Sequence, residues 1–567
     1  MSKSFFRTKN IDRILAEGAD ESHGSGLSRV LTVRDLTFFG IAAILGAGSF
    51  SSLGGAVFSG GPGVIILFII TGIACAFTAF CYSDFASRIP VAGSAYTYAY
   101  ASFGELFAWI IGWALIMEYS IGNIYVAYSW SDYFTSFMDK MNCHIPAYLS
   151  TSYMEAKHGV TSGSTNIDIL SAWNHAPIVA GIKVIFDLPA IIINLLITYL
   201  VYRGIKESRN FSNLMVILKL GVVLLIILVG GYLVLHNGLT LNWLPANEAG
   251  VKSFMPNGFS GVMAAVAGVF FAYIGFDAVS VLAEESQNPQ RDLPRGMIYS
   301  LVICTIIYIL LTLVLTGAVN YKNFEGVGDP LAFIFEKENL NVGWMQLLVS
   351  ICAVVAMTSV LLVFQMGQPR IWMSMSRDGL LPPVFQKIHP KYKTPSFSTI
   401  ITGLVVGLPI FFTDKTFVLD FTSIATLFAF VLVCGGVLLL PRKEKVKGGF
   451  HMPFISSRII FPLLIAVAIV LLQSTTSTYF QSIFNLQVVG TELTYNISAI
   501  LFWTICILLS IGAIIKNWSL IPLMGLVTCL YLLTGMTAIN WAWFGSWLLI
   551  GLVVYLLYGY KKSKLNI

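Results

Sequence analysis

The sequence predicts an all-α polytopic membrane protein with about 14 transmembrane helices, and three observations support this. The chain of 567 residues is 56% hydrophobic and only 11% charged, whereas soluble proteins carry about 25% charged residues. Apolar runs of roughly 20 residues, the length of a membrane-spanning helix, recur from Val33 to Tyr558. About 26 of the 34 lysine and arginine residues fall in alternate connecting segments and tails, as expected for cytoplasmic segments.

These spans divide the chain into four regions. Residues 1–32 form a tail, 33–441 a ten-helix core, 442–560 four additional helices and 561–567 a second tail. The spans are predicted to start near Val33, Val64, Tyr96, Leu188, Phe211, Gly258, Gly296, Trp344, Ser396, Phe417, Ile459, Ser498, Leu520 and Trp541. The distribution of basic residues predicts that both termini lie in the cytoplasm, and a location in the plasma membrane is expected.

Several classes of function are disfavoured by the sequence. The basic clusters are explained by the tendency of cytoplasmic segments of membrane proteins to be rich in lysine and arginine, so no nucleic-acid partner is predicted. The eight cysteines show no pairing or metal-ligand spacing, and neither a metal nor a cofactor is predicted. The sequence contains no GxxxxGK[ST] phosphate loop, HExxH motif or GxSxG turn. The chain is therefore not predicted to be an enzyme.

Glycines interrupt the first and sixth predicted spans at membrane depth. The first contains Gly46-Ala47-Gly48-Ser49, and the sixth contains the stretch Phe270–Gly275 followed by Asp277. The two spans are five apart, so the second block of five helices would insert in the opposite orientation. Paired broken helices of this kind are typical of inverted-repeat transporters. We therefore predict a 5+5 inverted-repeat core with unwound helices 1 and 6, although close helix packing by small residues is an alternative.

The backbone at such breaks suits the two ends of an amino acid. Free N–H groups around Gly46-Ala47-Gly48 carry the positive end of a helix dipole and suit a carboxylate. Carbonyl groups of Ile44, Leu45 and the stretch Phe270–Gly275 suit an ammonium. Phe271 is a candidate aromatic gate over the substrate, and a core aromatic residue is the alternative.

Ionisable residues inside spans are costly and are therefore functional candidates. Glu118 could pair with a basic side chain of the substrate, or serve as a structural acid. Lys219 could exchange a proton during transport or replace a sodium ion, with Thr358 and Ser359 as hydroxyl partners. Its alternative is to extend to the cytoplasmic surface. Asp277 is a second candidate for proton coupling, or a helix cap.

Several long runs resemble the cationic amino acid transporter family of the amino acid–polyamine–organocation superfamily. They are FFAYIGFDAVSVLAEESQNPQRDLPRG, GQPRIWMSMSRDGLLPPVFQKIHPKYKTP, GIAAILGAGSF and GIKESRNFSNLMVILKL. The resemblance implies that Glu118 lies near the substrate side chain and that Lys219 replaces the sodium site. It implies substrate main-chain contacts at Ile44, Gly46, Ala47, Gly48, Phe271, Ala272 and Ile274.

The predicted function is secondary active transport of an amino acid by alternating access, with proton-coupled uptake. The resemblance implies a cationic substrate such as lysine, arginine or ornithine. Ser49 and Ala114 depart from the residues usual in that family, which keeps small neutral amino acids such as alanine open. An exchanger or facilitator without proton coupling and a non-transporting sensor are alternatives. In the lipid bilayer, the chain is expected as a monomer or with a small accessory membrane subunit.

Overall fold

The computed structural model describes most of the chain, and the described part is largely helical. It describes residues 7–9, 14, 31–46, 48–90, 94–163, 167–179, 181–203, 209–246, 250–392, 394–440, 450–475, 479–485, 487 and 491–566. Most of the predicted N-terminal tail, and Ala47 in the first span, lie outside the described residues. The predicted all-α class, with breaks in the first and sixth spans, is confirmed.

The first half of the chain contains nine α-helices and a short hairpin in the described residues. They are α1 (Val33–Ile44), a π-helical turn (Gly48–Ser52), α2 (Leu53–Gly60), α3 (Val64–Arg88), α4 (Ser94–Ser102), α5 (Glu105–Lys140), α6 (Tyr153–Ser162), α7 (Ile167–His175), β1 (Ile178–Val179), β2 (Ile182–Lys183), α8 (Leu188–Arg203) and α9 (Arg209–His236). The strands β1 and β2 pair antiparallel.

The second half begins with the broken sixth span. Its elements are α10 (Gly258–Ala264), α11 (Val266–Phe271), a 3-10 segment (Phe276–Glu285), α12 (Pro289–Ala318), α13 (Pro330–Phe333), α14 (Gly343–Arg377), α15 (Ser396–Gly407), α16 (Lys415–Leu439), α17 (Ser457–Thr475), α18 (Tyr479–Ile483), α19 (Thr491–Lys516), α20 (Leu520–Leu533), α21 (Ala538–Val554), a π-helical turn (Tyr555–Gly559) and α22 (Tyr560–Lys562). Short 3-10 turns lie at Gly61–Gly63, Ala147–Leu149, Leu239–Trp243, Tyr321–Phe324, Pro383–Gln386, Pro409–Phe411 and Lys564–Asn566.

Local sequence determines where several spans begin. Thr32 precedes α1, and its backbone N–H donates to a carboxylate oxygen of Asp35 at 3.0 Å, which completes a capping box. Asp187 accepts from the backbone N–H of Ala190 at 3.0 Å before α8. Asp414 accepts from the backbone N–H of Phe417 at 2.8 Å at the start of α16. These side chains bind N–H groups that have no partner inside the helix.

The helices of the described residues are long and apolar enough for a multi-pass membrane protein. Nine of them can cross a membrane, or up to ten if the pair Gly258–Ala264 and Val266–Ser280, bent by 41°, is one span. Three shorter apolar helices lie at Leu188–Arg203, Ser396–Phe411 and Leu520–Leu533. A helix covers each of the fourteen predicted span starts. Integral membrane character is therefore confirmed, whereas the number of crossings stays a prediction.

The two broken spans lie in the middle of the bundle. α12 packs along α1 and α3, and α5 packs along α14 and α16. The first and sixth spans contact each other through α1, α2, α11 and the two breaks. The later helices α20 and α21 pack on the outer side of α16. This arrangement places the backbone of both breaks inside the protein, away from lipid.

The two ends of the described chain meet at the beginning of α5. The Glu105 carboxylate is buried and accepts from Arg7 at 3.1 Å, from Tyr100 at 3.0 Å and from Tyr555 at 2.9 Å. The hydroxyl of Ser563 also donates to this carboxylate. A buried carboxylate with several donors is well compensated. The network thus holds both ends of the chain on the same side of the bundle.

Candidate functional site

The first span loses helical geometry after Ile44, as predicted. The N–H of Gly46 donates to the Ile44 carbonyl at 2.9 Å, which is a tight turn and not a helical bond. The Gly46 carbonyl then accepts from the N–H groups of Ser49 and Phe50, both at 3.1 Å. The hydroxyl of Ser49 donates to the same carbonyl at 3.0 Å. The break therefore lies at residues 45–48, between α1 and the π-helical turn.

The sixth span breaks after Phe271, and Gly275 is required there. Gly275 has a φ of 117°, in the left-handed region that disfavours residues with a Cβ. A Cβ on Gly275 would also lie 2.9 Å from the Cβ of Ala43. Glycine therefore permits both the sharp turn and the close approach of the sixth span to the first.

The two breaks contact each other directly. A Cβ on Gly48 would lie 2.4 Å from the Cα of Ala272. On the other side of the first break, a Cβ on Gly46 would lie 2.5 Å from a methyl group of Val360 on α14. The structure thus brings Ile44, Gly46, Gly48 and Ala272 together, four of the predicted substrate contacts. Ala47, between the two glycines, lies outside the described residues.

Tyr308 on α12 joins the two breaks, and the sequence reasoning missed it. Its hydroxyl lies 2.8 Å from the Ile44 carbonyl oxygen and 2.6 Å from the Ala272 carbonyl oxygen. Its position in an apolar helix suggests only packing, because hydropathy carries no information on contacts with residues distant in sequence. Two of the carbonyl groups predicted to bind an ammonium, those of Ile44 and Ala272, therefore converge on one polar atom.

Aromatic side chains cover the outer side of this region. Phe271 is 5% exposed and packs edge-on against Tyr125 of α5, with ring centroids 4.5 Å apart. Ile274 is also buried, and its N–H donates to the Phe271 carbonyl at 3.2 Å. Tyr125 also lines a cavity of about 880 Å³, together with Ser51 and Ser52 of the π-helical turn after the first break. The cavity therefore lies next to the first break, and Tyr125 connects its wall to the Phe271 ring.

The cavity is rich in acidic side chains. Asp132, Glu155 and Asp329 line it, and Lys415 forms an ion pair with Asp132 at its wall. Burial raises the pKa of Glu155 to about 7, and the nearby negative charge of Asp132 adds to the shift. The charge of the cavity therefore changes with pH near neutrality. Substrate entering from this side would pass a predominantly acidic surface.

Lys219 is buried and binds the end of α1 to α14. Its side chain is 1% exposed, which excludes the alternative that it extends to the surface. Its Nζ donates to the Ser359 hydroxyl at 2.6 Å and to the Ala42 carbonyl at 3.3 Å. Thr358 instead accepts from the indole N–H of Trp130 at 2.9 Å. Of the two predicted hydroxyl partners, the structure brings only Ser359 to Lys219.

Glu118 and Asp277 are two buried carboxylic acids inside the bundle. Each is 2% exposed. Glu118 Oε2 has no hydrogen-bond partner among the described residues, and the same is true of the Tyr82 hydroxyl. Asp277 lies in the first turn of the 3-10 segment, where a capping acid is expected. A cationic group or a proton would compensate the burial of the Glu118 carboxylate.

Comparison with known proteins identifies the family. Residues 31–491 match the family model described as "Amino acid permease", and residues 520–563 match the one described as "C-terminus of AA_permease". The chain belongs to the amino acid permease family. This permease is therefore a multi-pass transporter of a family that moves amino acids, and its resemblance to the cationic amino acid transporters of the amino acid–polyamine–organocation superfamily is confirmed.

Three relatives align with almost the whole permease. It is 36% identical to "Branched-chain amino acid permease BcaP" from Bacillus subtilis over 100% of both chains. It is 34% identical to "Methylthioribose transporter" from the same organism over 99% of both chains. It is 31% identical to "Cationic amino acid transporter 2, vacuolar" from Arabidopsis thaliana, over 99% of this chain and 93% of that one.

Proposed function

We propose that this permease takes up a cationic or small neutral amino acid together with a proton, by alternating access. The observation that carries the proposal is the apposition of two helix breaks whose carbonyl groups, at Ile44 and Ala272, converge within 2.8 Å of one hydroxyl. Carbonyl groups at helix C-termini lack helical donors and carry partial negative charge. Together they are suited to an α-ammonium.

We assign the carboxylate of the substrate to the first break. The N–H groups around Gly46, Ala47 and Gly48 start the second half of the span, where the helix dipole favours a carboxylate. The carbonyl groups of Phe271 and Ile274 complete the acceptor side, and the Phe271 ring acts as the gate towards the outer cavity. We place the permease in the plasma membrane, with both termini in the cytoplasm. It acts alone or with a small accessory subunit.

Lys219 is assigned to coupling. Its ammonium binds the carbonyl of Ala42, two residues before the end of α1, and the hydroxyl of Ser359 on α14. A proton lost or gained there would change the link between the first and eighth spans. Asp277, next to the sixth break, is the second coupling candidate. Thr358 has the least support among the four coupling candidates, which are Lys219, Ser359, Asp277 and Thr358, because its hydroxyl accepts a hydrogen bond from Trp130.

The flux of amino acids into liposomes tests this function. We expect an inside-alkaline pH gradient to drive accumulation of at least one amino acid by the purified permease, with no requirement for sodium. Branched-chain amino acids and methylthioribose belong in the panel, since relatives are named for them. Flux only with amino acid on both sides would indicate an exchanger. Binding without flux under any gradient or exchange condition would indicate a sensor and refute the proposal.

The variant Glu118→Gln tests whether the substrate is a cationic or a small neutral amino acid. If Glu118 pairs with a cationic side chain, its removal should weaken arginine and lysine binding about 10- to 100-fold, since a hydrogen bond to a charged group contributes about 1.5–3 kcal/mol. Alanine binding to the same variant should change by less than about threefold and is the internal control. Thermal-shift titration with each amino acid measures both. Unchanged selectivity would leave Glu118 a structural acid.

A further inference from the structure

The hydroxyl of Tyr308 lies between two helix C-termini. Ile44 is the last residue of α1, and Ala272 follows the last residue of α11. Both carbonyl oxygens are within hydrogen-bonding distance of the hydroxyl, at 2.8 and 2.6 Å. A tyrosine hydroxyl has one proton to donate, so the two carbonyl groups share it, and the Ile44 carbonyl also accepts from the N–H of Gly46. Each would accept a stronger donor.

The ring of Tyr308 is held rigidly. It is 0% exposed and packs against Phe68, with centroids 5.6 Å apart, and edge-on against Tyr273, with centroids 5.5 Å apart. Tyr273 belongs to the sixth span, but its own hydroxyl donates to the carbonyl of Phe68 at 2.8 Å. Of these two neighbouring tyrosines, only Tyr308 contacts the carbonyl groups of both breaks.

We propose that Tyr308 is a positioning residue whose hydroxyl clips the two breaks together and releases their carbonyl groups to the substrate ammonium. The identity of the ligand rests on the function proposed above; the clip itself does not. An ammonium has three N–H donors, whereas the hydroxyl has one. The ammonium can satisfy both carbonyl groups and still donate to the tyrosine oxygen. Tyr308 thus competes with the substrate for the same acceptors.

This competition has a kinetic consequence. Net uptake requires the empty carrier to return to the side from which it takes up substrate. In this empty state, the Tyr308 hydroxyl is the donor that contacts the carbonyl groups of both Ile44 and Ala272. Exchange avoids that return because the carrier is loaded in both directions. The Ile44 carbonyl keeps the N–H of Gly46 as a donor, so loss of the hydroxyl acts mainly on the Ala272 carbonyl. A buried carbonyl group that loses its donor raises the free energy of the state without ammonium. Loss of the hydroxyl should therefore slow the return step and favour binding.

Tyr308→Phe tests the proposal, with Tyr273→Phe as the matched control. Each variant removes one buried tyrosine hydroxyl from the same aromatic cluster; the Tyr308 hydroxyl contacts two carbonyl groups and the Tyr273 hydroxyl contacts one. For Tyr308→Phe, we expect the KM of exchange to fall about three- to tenfold, as expected for one hydrogen bond, while the rate of net uptake falls about tenfold. For Tyr273→Phe, the ratio of exchange to net uptake should match that of the wild type.

Amide hydrogen exchange at residues 45–50 and 271–276 provides a readout that needs no transport. Tyr308→Phe should accelerate exchange at both segments several-fold without added amino acid, whereas Tyr273→Phe, whose hydroxyl binds the sixth span to Phe68, should leave residues 45–50 unchanged. Equal exchange in Tyr308→Phe and wild type would overturn the clip, whether or not the protein transports. Wild-type protein that moves no amino acid, but whose breaks loosen in Tyr308→Phe, would instead reject the transport function and keep the clip. A parallel fall in net uptake and exchange, with KM unchanged, would reject the competition with substrate.

Discussion

Replacement of Lys219 by methionine is expected to abolish accumulation driven by a pH gradient. The ammonium binds the end of α1 to α14 through Ala42 and Ser359. Hydrogen bonds of a charged group contribute about 1.5–3 kcal/mol each, so uptake should fall about 10- to 100-fold or more. Uptake into liposomes with an inside-alkaline gradient, compared with exchange at equal pH on both sides, measures the effect. Exchange should be reduced much less, because it does not depend on the gradient.

Methionine is chosen because it removes the charge while keeping most of the volume. Replacement of a buried charge by an apolar side chain of similar size is often tolerated, so the variant is expected to fold. Ser359→Ala is a milder variant, because it removes one acceptor and leaves the ammonium in place. It should reduce uptake about tenfold, the lower end of the range for one hydrogen bond of a charged group. Lys219→Met protein that retains full pH dependence would remove Lys219 from the coupling role.

The breaks could be predicted from the sequence because glycine leaves a local signature. Gly46, Gly48 and Gly275 stand inside apolar runs where a continuous helix would need no glycine. The structure shows which residue of the other span each glycine approaches: Gly48 approaches Ala272, and Gly275 approaches Ala43. Such close approaches depend on how spans cross. Hydropathy and composition along a single span do not contain that information.

The contacts between side chains were predictable only in part. Lys219 could be placed at membrane depth, but which hydroxyl it meets depends on the rotation of α14. Ser359 faces Lys219, whereas its neighbour Thr358 points to Trp130. Tyr308 is 264 residues from Ile44, and nothing local marks it as polar and functional. The Glu105 network gathers residues from both chain ends, and such long-range pairing likewise needs the fold.

Gly48→Ala is expected to reduce transport severely by forcing the two breaks apart. Its new Cβ would lie 2.4 Å from the Cα of Ala272, which is backbone and cannot move without displacing the sixth span. Overpacking of this kind costs about 1–3 kcal/mol, so substrate affinity should fall about 5- to 150-fold. The KM for uptake and the thermal shift with substrate measure this change in protein that elutes as a single species.

Two other glycines of the first span provide controls with the same substitution. In Gly46→Ala, the three atoms nearest to the new Cβ would all belong to the Val360 side chain, the closest 2.5 Å away, and none of them is backbone. In Gly55→Ala, a Cβ would have no heavy atom within 4 Å among the described residues. All three substitutions add the same methyl group, so the geometry predicts that impairment decreases from Gly48 to Gly46 to Gly55. If Gly55→Ala were as impaired as Gly48→Ala, the loss of a glycine anywhere in the first span would explain the effect, and the apposition of the breaks would not be the cause.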